Sequence, residues 1–224
     1  MSGERRTYVT EIAALAAVPA TLLACAALDL ESSALLTLLV TGFALVLFLV
    51  SYERSKPALR QVLPAATLAA VAAAGRVLFA PVPYVKPVSA IVIVAGATLG
   101  RREGFMVGAL AALVSNFFFG QGPWTPWQMY SWGLVGYLSG VLPLGRKWAP
   151  YAWGVVSALL YGLLLNGWYV VGFVRPLTWA GAIAGYAAGI PFDVVHGIAT
   201  AGFLVVVWGP WGRSIRRVVA KYAL

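Results

Sequence analysis

Acidic residues are scarce in this chain, with seven Asp and Glu against sixteen Lys and Arg among 224 residues. Soluble domains are about one quarter charged, whereas only 10% of this sequence is, which excludes an ordinary water-soluble fold. The single cysteine, Cys25, lies in an apolar run, so neither a disulfide framework nor a cysteine-based metal site is available. One histidine, His196, excludes a His-rich zinc centre, and no metal is expected. Gly145-Arg146-Lys147 lacks the hydroxyl of a nucleotide-binding loop, so no ATPase activity is expected of the chain itself. No run of intramembrane acids forms a proton relay.

Long uncharged stretches are what the sequence has in abundance. Residues 32–52, 104–145 and 148–174 run for 21, 42 and 27 residues without a charge. About 20 apolar residues cross a bilayer core of about 30 Å, so the pattern predicts an all-α, polytopic membrane helix bundle. Charges and proline–glycine clusters divide it into eight spans, at roughly 9–28, 33–52, 62–80, 88–100, 104–120, 128–143, 149–172 and 191–208. The first is kept as a span because it is longer than a signal-peptide core and has no cleavage site. Residues 174–190, glycine-rich and ending before Pro191, read as a long outer loop with an interfacial turn or short helix, since a continuous helix from 177 to 208 would be about 48 Å long. The organisation expected is a two-helix N-terminal extension, residues 1–60, and a six-helix core, residues 61–224, with a basic tail.

The net charge of +9 reports topology rather than nucleic acid. With both termini inside a cell membrane, Arg5, Arg6, Arg54, Lys56, Arg60, Arg101, Arg102, Arg146, Lys147, Arg213, Arg216, Arg217 and Lys221 fall on the cytoplasmic side, while Asp29 and Glu31 lie outside. Arg76, Lys86 and Arg175 break the rule at the outer ends of spans. Arg76 either snorkels to the outer headgroups or, with the other two, lines a hydrated outer cavity.

The outer side also gathers the polar and aromatic residues. Ser115-Asn116 leads into Gly120-Gln121-Gly122-Pro123-Trp124-Thr125-Pro126-Trp127-Gln128-Met129, whose glycines and prolines predict a non-helical segment. Trp124 and Trp127 serve either as interfacial anchors or, with the amides of Asn116, Gln121 and Gln128, as walls of a ligand pocket. The triple-proline loop Phe79–Pro87 stiffly presents Tyr84 and Lys86. Pro191 starts a helix whose first turn holds Asp193, with His196 one turn on along the same face. Asn166, Trp168 and Tyr169 end the preceding span at that level. Two alanine stripes, Ala65/Ala69/Ala73 and Ala66/Ala70/Ala74, offer smooth faces for close helix packing, either within the chain or against another subunit.

Taken together these segments resemble the substrate-binding S component of energy-coupling factor (ECF) vitamin transporters. The likeness covers residues 62–221 and rests on the alanine-rich helix ending in Gly75-Arg76, the Lys86-Pro87 loop, the Gly96–Gly108 turn, Ser115-Asn116, GQGPWTPWQM and Pro191-Phe192-Asp193. It implies a six-helix core that binds a vitamin or related micronutrient near the outer leaflet of a prokaryotic plasma membrane. Delivery then involves a transmembrane coupling subunit and two cytoplasmic ATPases, which use ATP; this chain itself binds no cofactor. The substrate-binding residues implied are Arg76, Tyr84, Lys86, Asn116, Gln121, Trp124, Trp127, Gln128, Trp168, Asp193 and His196. The face toward the coupling subunit is implied at Ala65, Ala69 and Ala73 or the adjacent Ala66 and Ala70. A corrinoid such as cobalamin ranks first as ligand because of the large Trp-rich loop, and flat pyrimidine or pteridine vitamins follow. Three other classes compete: a stand-alone secondary transporter, a structural or assembly protein, and an intramembrane enzyme. For the last, a rhomboid-type GxSG motif ending in Ser139-Gly140 would need glycine at position 137, where Tyr137 stands. No enzymatic activity is expected.

Overall fold

The computed structural model describes residues 3–28, 33–54, 57 and 59–222, and among them eight helices and no strand. In chain order these are α1 (Gly3–Leu28), α2 (Ser33–Arg54), α3 (Leu59–Leu78), α4 (Val88–Leu99), α5 (Arg101–Phe119), α6 (Trp124–Ser139), α7 (Ala149–Phe173) and α8 (Trp179–Tyr222). Five of them, α1, α2, α3, α7 and α8, contain segments long and apolar enough to cross a membrane. Large apolar side chains such as Leu23, Phe43, Leu78 and Val206 stand exposed around the outside. That arrangement suits a helical membrane protein, in which lipid takes the place of water against apolar surface.

The short helix α4 is the hub. Every residue from Val88 to Gly96 is buried, and the helix packs against α3, α5, α6, α7 and α8. Twelve residues at 1.5 Å each give about 18 Å, so its ends lie within the bundle. Helices α5 and α6 form a tight hairpin with glycine on both sides of the seam. A Cβ added to Gly136 would fall on the backbone carbonyl of Gly104, and one added to Gly108 on the carbonyl of Trp132. Small residues let helix backbones meet where no hydrophobic effect drives them together.

A second core joins α1 and α2 to the rest. Leu15, Val18, Leu22 and Cys25 of α1 and Phe48 of α2 pack with Phe105, Trp127, Tyr130, Tyr137 and Leu164. At one end the fully buried Glu11 accepts bonds from both Arg101 and Arg102 and from the Tyr137 hydroxyl at 3.2 Å. The Arg101-Arg102 turn, read above through topology alone, therefore also ties α1 to α5. The side chains of Arg5, Arg6 and Arg60, the acidic turn with Asp29 and Glu31, and Lys56 lie outside the described residues.

Two sequence expectations change. Residues 179–190 are helical and continuous with the following span, so α8 runs 44 residues, about 66 Å. Pro191 and Pro210 lie inside it; a proline removes one rung of the hydrogen-bond ladder, which helices in a bundle tolerate. Helix α6 begins at Trp124 rather than 128, because Pro126 occupies its first turn, where no intrahelical N–H partner exists to lose. The basic tail is helical as far as Tyr222.

The two alanine stripes part company. Ala65, Ala69 and Ala73 are buried inside the chain with Ala72, which leaves them no surface for a partner. Ala66, Ala70 and Ala74 face outward.

Candidate functional site

Six helices bring polar side chains to one level of the bundle, at the ends of α3 and α5, the starts of α4 and α6, and the middles of α7 and α8. At its centre is Arg76, an arginine in the last turn of α3 that is only 6% exposed. Its Nη1 donates to Ser115 Oγ at 2.6 Å and to Asn116 Oδ1 at 2.7 Å. The guanidinium lies 4.6 Å from the ring centre of Phe119 and 5.1 Å from that of Trp132. Arg76 thus turns inward instead of snorkelling to the headgroups.

A polarised chain of hydrogen bonds holds that arrangement. Asn116 Nδ2 donates to Gln128 Oε1 at 2.8 Å and to Thr125 Oγ1 at 3.0 Å. The Thr125 hydroxyl donates to Gln121 Oε1 at 2.9 Å, and Gln121 Nε2 donates to the Leu113 carbonyl at 3.0 Å. Both amide hydrogens of Asn116 are therefore committed, and its Oδ1 holds Arg76 in place. Gln121 folds the 120–123 loop back on α5 in the same way.

Beside this chain, His196 Nε2 lies 2.8 Å from Ser89 Oγ, which also accepts from Trp132 Nε1 at 3.0 Å. The Tyr161 ring packs edge-on against His196 and leans on Trp132. Above them, Lys86 places its ammonium 5.1 Å from the Phe119 ring centre, so two cations share one aromatic ring. Burial, and after it the Arg76 charge, hold the Lys86 ammonium below its ordinary pKa. Tyr84, at φ +61°, stacks on Phe192 of α8 at 4.6 Å and closes the 79–87 loop over the cluster. A bulky residue in the left-handed region is strained by about 1–2 kcal/mol, so this contact constrains the loop.

Several expected site residues point elsewhere. Trp127 is fully buried in the second core and stacks on Trp168 at 5.8 Å, away from Arg76. Both indole N–H groups of that pair lack a protein partner. Trp124 is 41% exposed, and its ring covers Gly122. Asp193 and His196 share a helix face but not a bond: the Asp193 carboxylate accepts from Asn166 Nδ2 at 3.2 Å and lies against Gly162, where a Cβ would displace it. Arg175 does not line the site, since its Nη1 caps the end of α7 at the carbonyls of Val171 and Val174. The structure brings together Arg76, Lys86, Asn116, Gln121, Gln128 and His196, with Tyr84 as the closure.

Ser89, Phe119, Trp132 and Tyr161 are site residues that the sequence alone did not single out. Two of them carried a signal. Thr125, Gln128 and Trp132 are spaced i, i+3, i+7, one stripe of a helix, and Phe119 follows Asn116 by three.

A family model covers residues 56–217, most of the chain and all of the site, and its description is a family of unknown function, DUF6580. The chain belongs to DUF6580. The DUF6580 match begins where α2 gives way to α3, so α1 and α2 fall outside it although they share a core with it. No solved structure matches this DUF6580 chain.

Proposed function

We propose that this chain is a substrate-binding membrane subunit of the S-component type, with eight spans and both termini cytoplasmic. It captures a micronutrient at its outer side and passes it to a coupling subunit driven by two ATPases. The observation that carries the reading is the inward-facing cluster of Arg76, Lys86, Gln128, His196, Trp132 and Tyr161 beneath the 79–87 loop. An apolar-walled site with a few converging polar groups is what a small-molecule pocket requires. Opening it needs the Tyr84–Phe192 contact to part, which makes that loop the gate. The ligand class extends from corrinoids to flat heterocyclic vitamins, and the Trp residues no longer favour a corrinoid, because Trp127 and Trp168 are occupied with each other.

The outward stripe Ala66, Ala70 and Ala74 is the coupling face in this reading. Affinity purification of the full chain from its native membrane tests it: ATPase and coupling subunits should co-purify, and Ala70→Trp should lose them. Ligand uptake with no such partners would establish the stand-alone transporter instead. Partners without any ligand would leave a structural or assembly role.

One contact favours a second reading. Ser89 and His196 form a hydrogen-bonded Ser–His pair at the start of α4, the arrangement of an activated nucleophile. Against it, Ser89 is fully buried and receives the Trp132 N–H on the oxygen that would attack. Ser139, the rhomboid-like candidate, is bonded to Trp153 and the Val135 carbonyl instead. Fluorophosphonate labelling of Ser89, absent in Ser89→Ala, would establish the enzyme.

A further inference from the structure

Arginine in a membrane bundle is expensive to bury, and it is normally matched by a carboxylate. Arg76 is not. Its Nη1 side is fully used by Ser115 and Asn116, two neutral groups. Its Nε has no partner and no contact with solvent, and among the described residues no carboxylate lies within ion-pair distance of Arg76 or of Lys86. Asp193, the acid on the neighbouring stretch of α8, is held by Asn166 and packed on Gly162. Phe119 lies against both cations, which brings two positive charges to one aromatic ring with no carboxylate paired to either.

The neutral network explains why the edge stays free. Asn116 fixes the guanidinium through Oδ1 and is itself fixed by Thr125 and Gln128, so the fork is oriented before any ligand arrives. A planar guanidinium held through Nη1 and left unpaired at Nε matches the two oxygens of a carboxylate or phosphate once the site opens. Lys86, on the 79–87 loop rather than a helix, supplies a second charge beside the same ring.

We propose that the ligand of this site is an anion, whose carboxylate or phosphate docks on the free edge of Arg76 with Lys86 as its second cation. The inference rests on the solute-binding reading above and narrows it to acidic micronutrients, excluding neutral ones. The anion is that of a small solute, with a phospholipid headgroup as the competing source.

The test uses the full chain in a neutral maltoside detergent, with inorganic phosphate titrated against chloride at fixed ionic strength and thermal unfolding followed by tryptophan fluorescence. Phosphate should raise the melting temperature saturably at millimolar concentration, through the linkage of binding to folding. Its apparent Kd should weaken at least tenfold in Arg76→Gln and in Lys86→Gln, with Arg76→Lys intermediate because it keeps the charge and loses the fork. Without phosphate, Arg76→Gln should melt no lower than wild type, since it removes an uncompensated buried charge. An equal response in wild type and all three variants, or none in wild type, overturns the inference. So does an anionic phospholipid that co-purifies stoichiometrically with wild type and is missing from Arg76→Gln, because the source is then the bilayer. A neutral molecule released from the native protein defeats the anion inference and leaves the solute-binding function intact. An Arg76- and Lys86-dependent phosphate response in a protein that neither binds nor moves any solute does the reverse.

Discussion

Replacing Gly136 by alanine puts a carbon where the backbone of α5 already stands. The new Cβ would fall well inside 3.0 Å of the Gly104 carbonyl, a separation that real Cβ contacts do not show, and the obstacle is backbone that no rotamer change removes. Helix α6 must therefore retreat from α5 by something on the order of 1 Å, a gap that forfeits a quarter to a half of each dispersion contact across the seam. Overpacking of this kind costs about 3 kcal/mol, or on the order of 10 °C in melting temperature for a chain of this size. The same displacement drags Gln128 and Trp132 away from Asn116 and Ser89, so phosphate-dependent stabilisation should vanish with it. The controls are Gly42→Ala and Gly202→Ala, helical glycines with nothing within 4 Å of an added Cβ. These should be neutral or stabilising by up to ~1 kcal/mol. Thermal unfolding in maltoside reads all three, and a Gly136→Ala melting temperature within 2 °C of the controls would refute the packing argument.

Other consequences can be measured on the same preparation. Glu11→Ala should destabilise the chain by ~2 kcal/mol, below the usual cost of breaking a buried pair because Arg101 and Arg102, at 35% and 23% side-chain exposure, regain water; an unchanged denaturation curve would mean that α1 is not tied through this acid. Lys86 has a folded-state pKa below its ordinary 10.5, so the unfolded chain holds more protons between those two values and stability rises with pH through that window. The rise should be missing from Lys86→Gln when the two are compared by pH-dependent unfolding. Trp124→Ala should leave phosphate affinity within about twofold, as for a contact outside the site, while Asn116→Ala should weaken it severely by freeing the guanidinium. Equal losses in the two would return Trp124 to the site.

The membrane-helix architecture was legible because bilayer thickness imposes its length on the sequence: the uncharged runs and the Arg101-Arg102 and Arg146-Lys147 breaks fall where helices begin and end. The α5 and α6 seam has its own signal, glycines four apart at Gly104/Gly108 and Gly136/Gly140, because small residues let backbones approach closely. Proline and glycine were the weaker guides. Pro126 and Pro191 looked like breaks, yet one sits in a first turn and the other inside a supported helix. For the site, residue type and level were readable, but direction was not. Trp127 and Gln128 are adjacent and about 100° apart around α6, so one enters the core against α1 while the other reaches Asn116. Asp193 and His196 share a face, but which helix lies opposite each is decided by the bundle: Asn166 of α7 for one and Ser89 of α4 for the other. The buried Glu11 pairing is a long-range contact between segments about 90 residues apart, and no local pattern announces it.

The central claim is that the cluster around Arg76 binds a small solute, and the most direct measurement is of what the protein carries. The full chain would be purified gently from its native membrane, its absorbance recorded, and the protein then denatured so that any released molecule could be identified by mass spectrometry. The account predicts a stoichiometric micronutrient bearing a carboxylate or phosphate, present with wild type and missing from Arg76→Gln. A protein that releases nothing, and whose unfolding is indifferent to acidic vitamins at millimolar concentration, would contradict it.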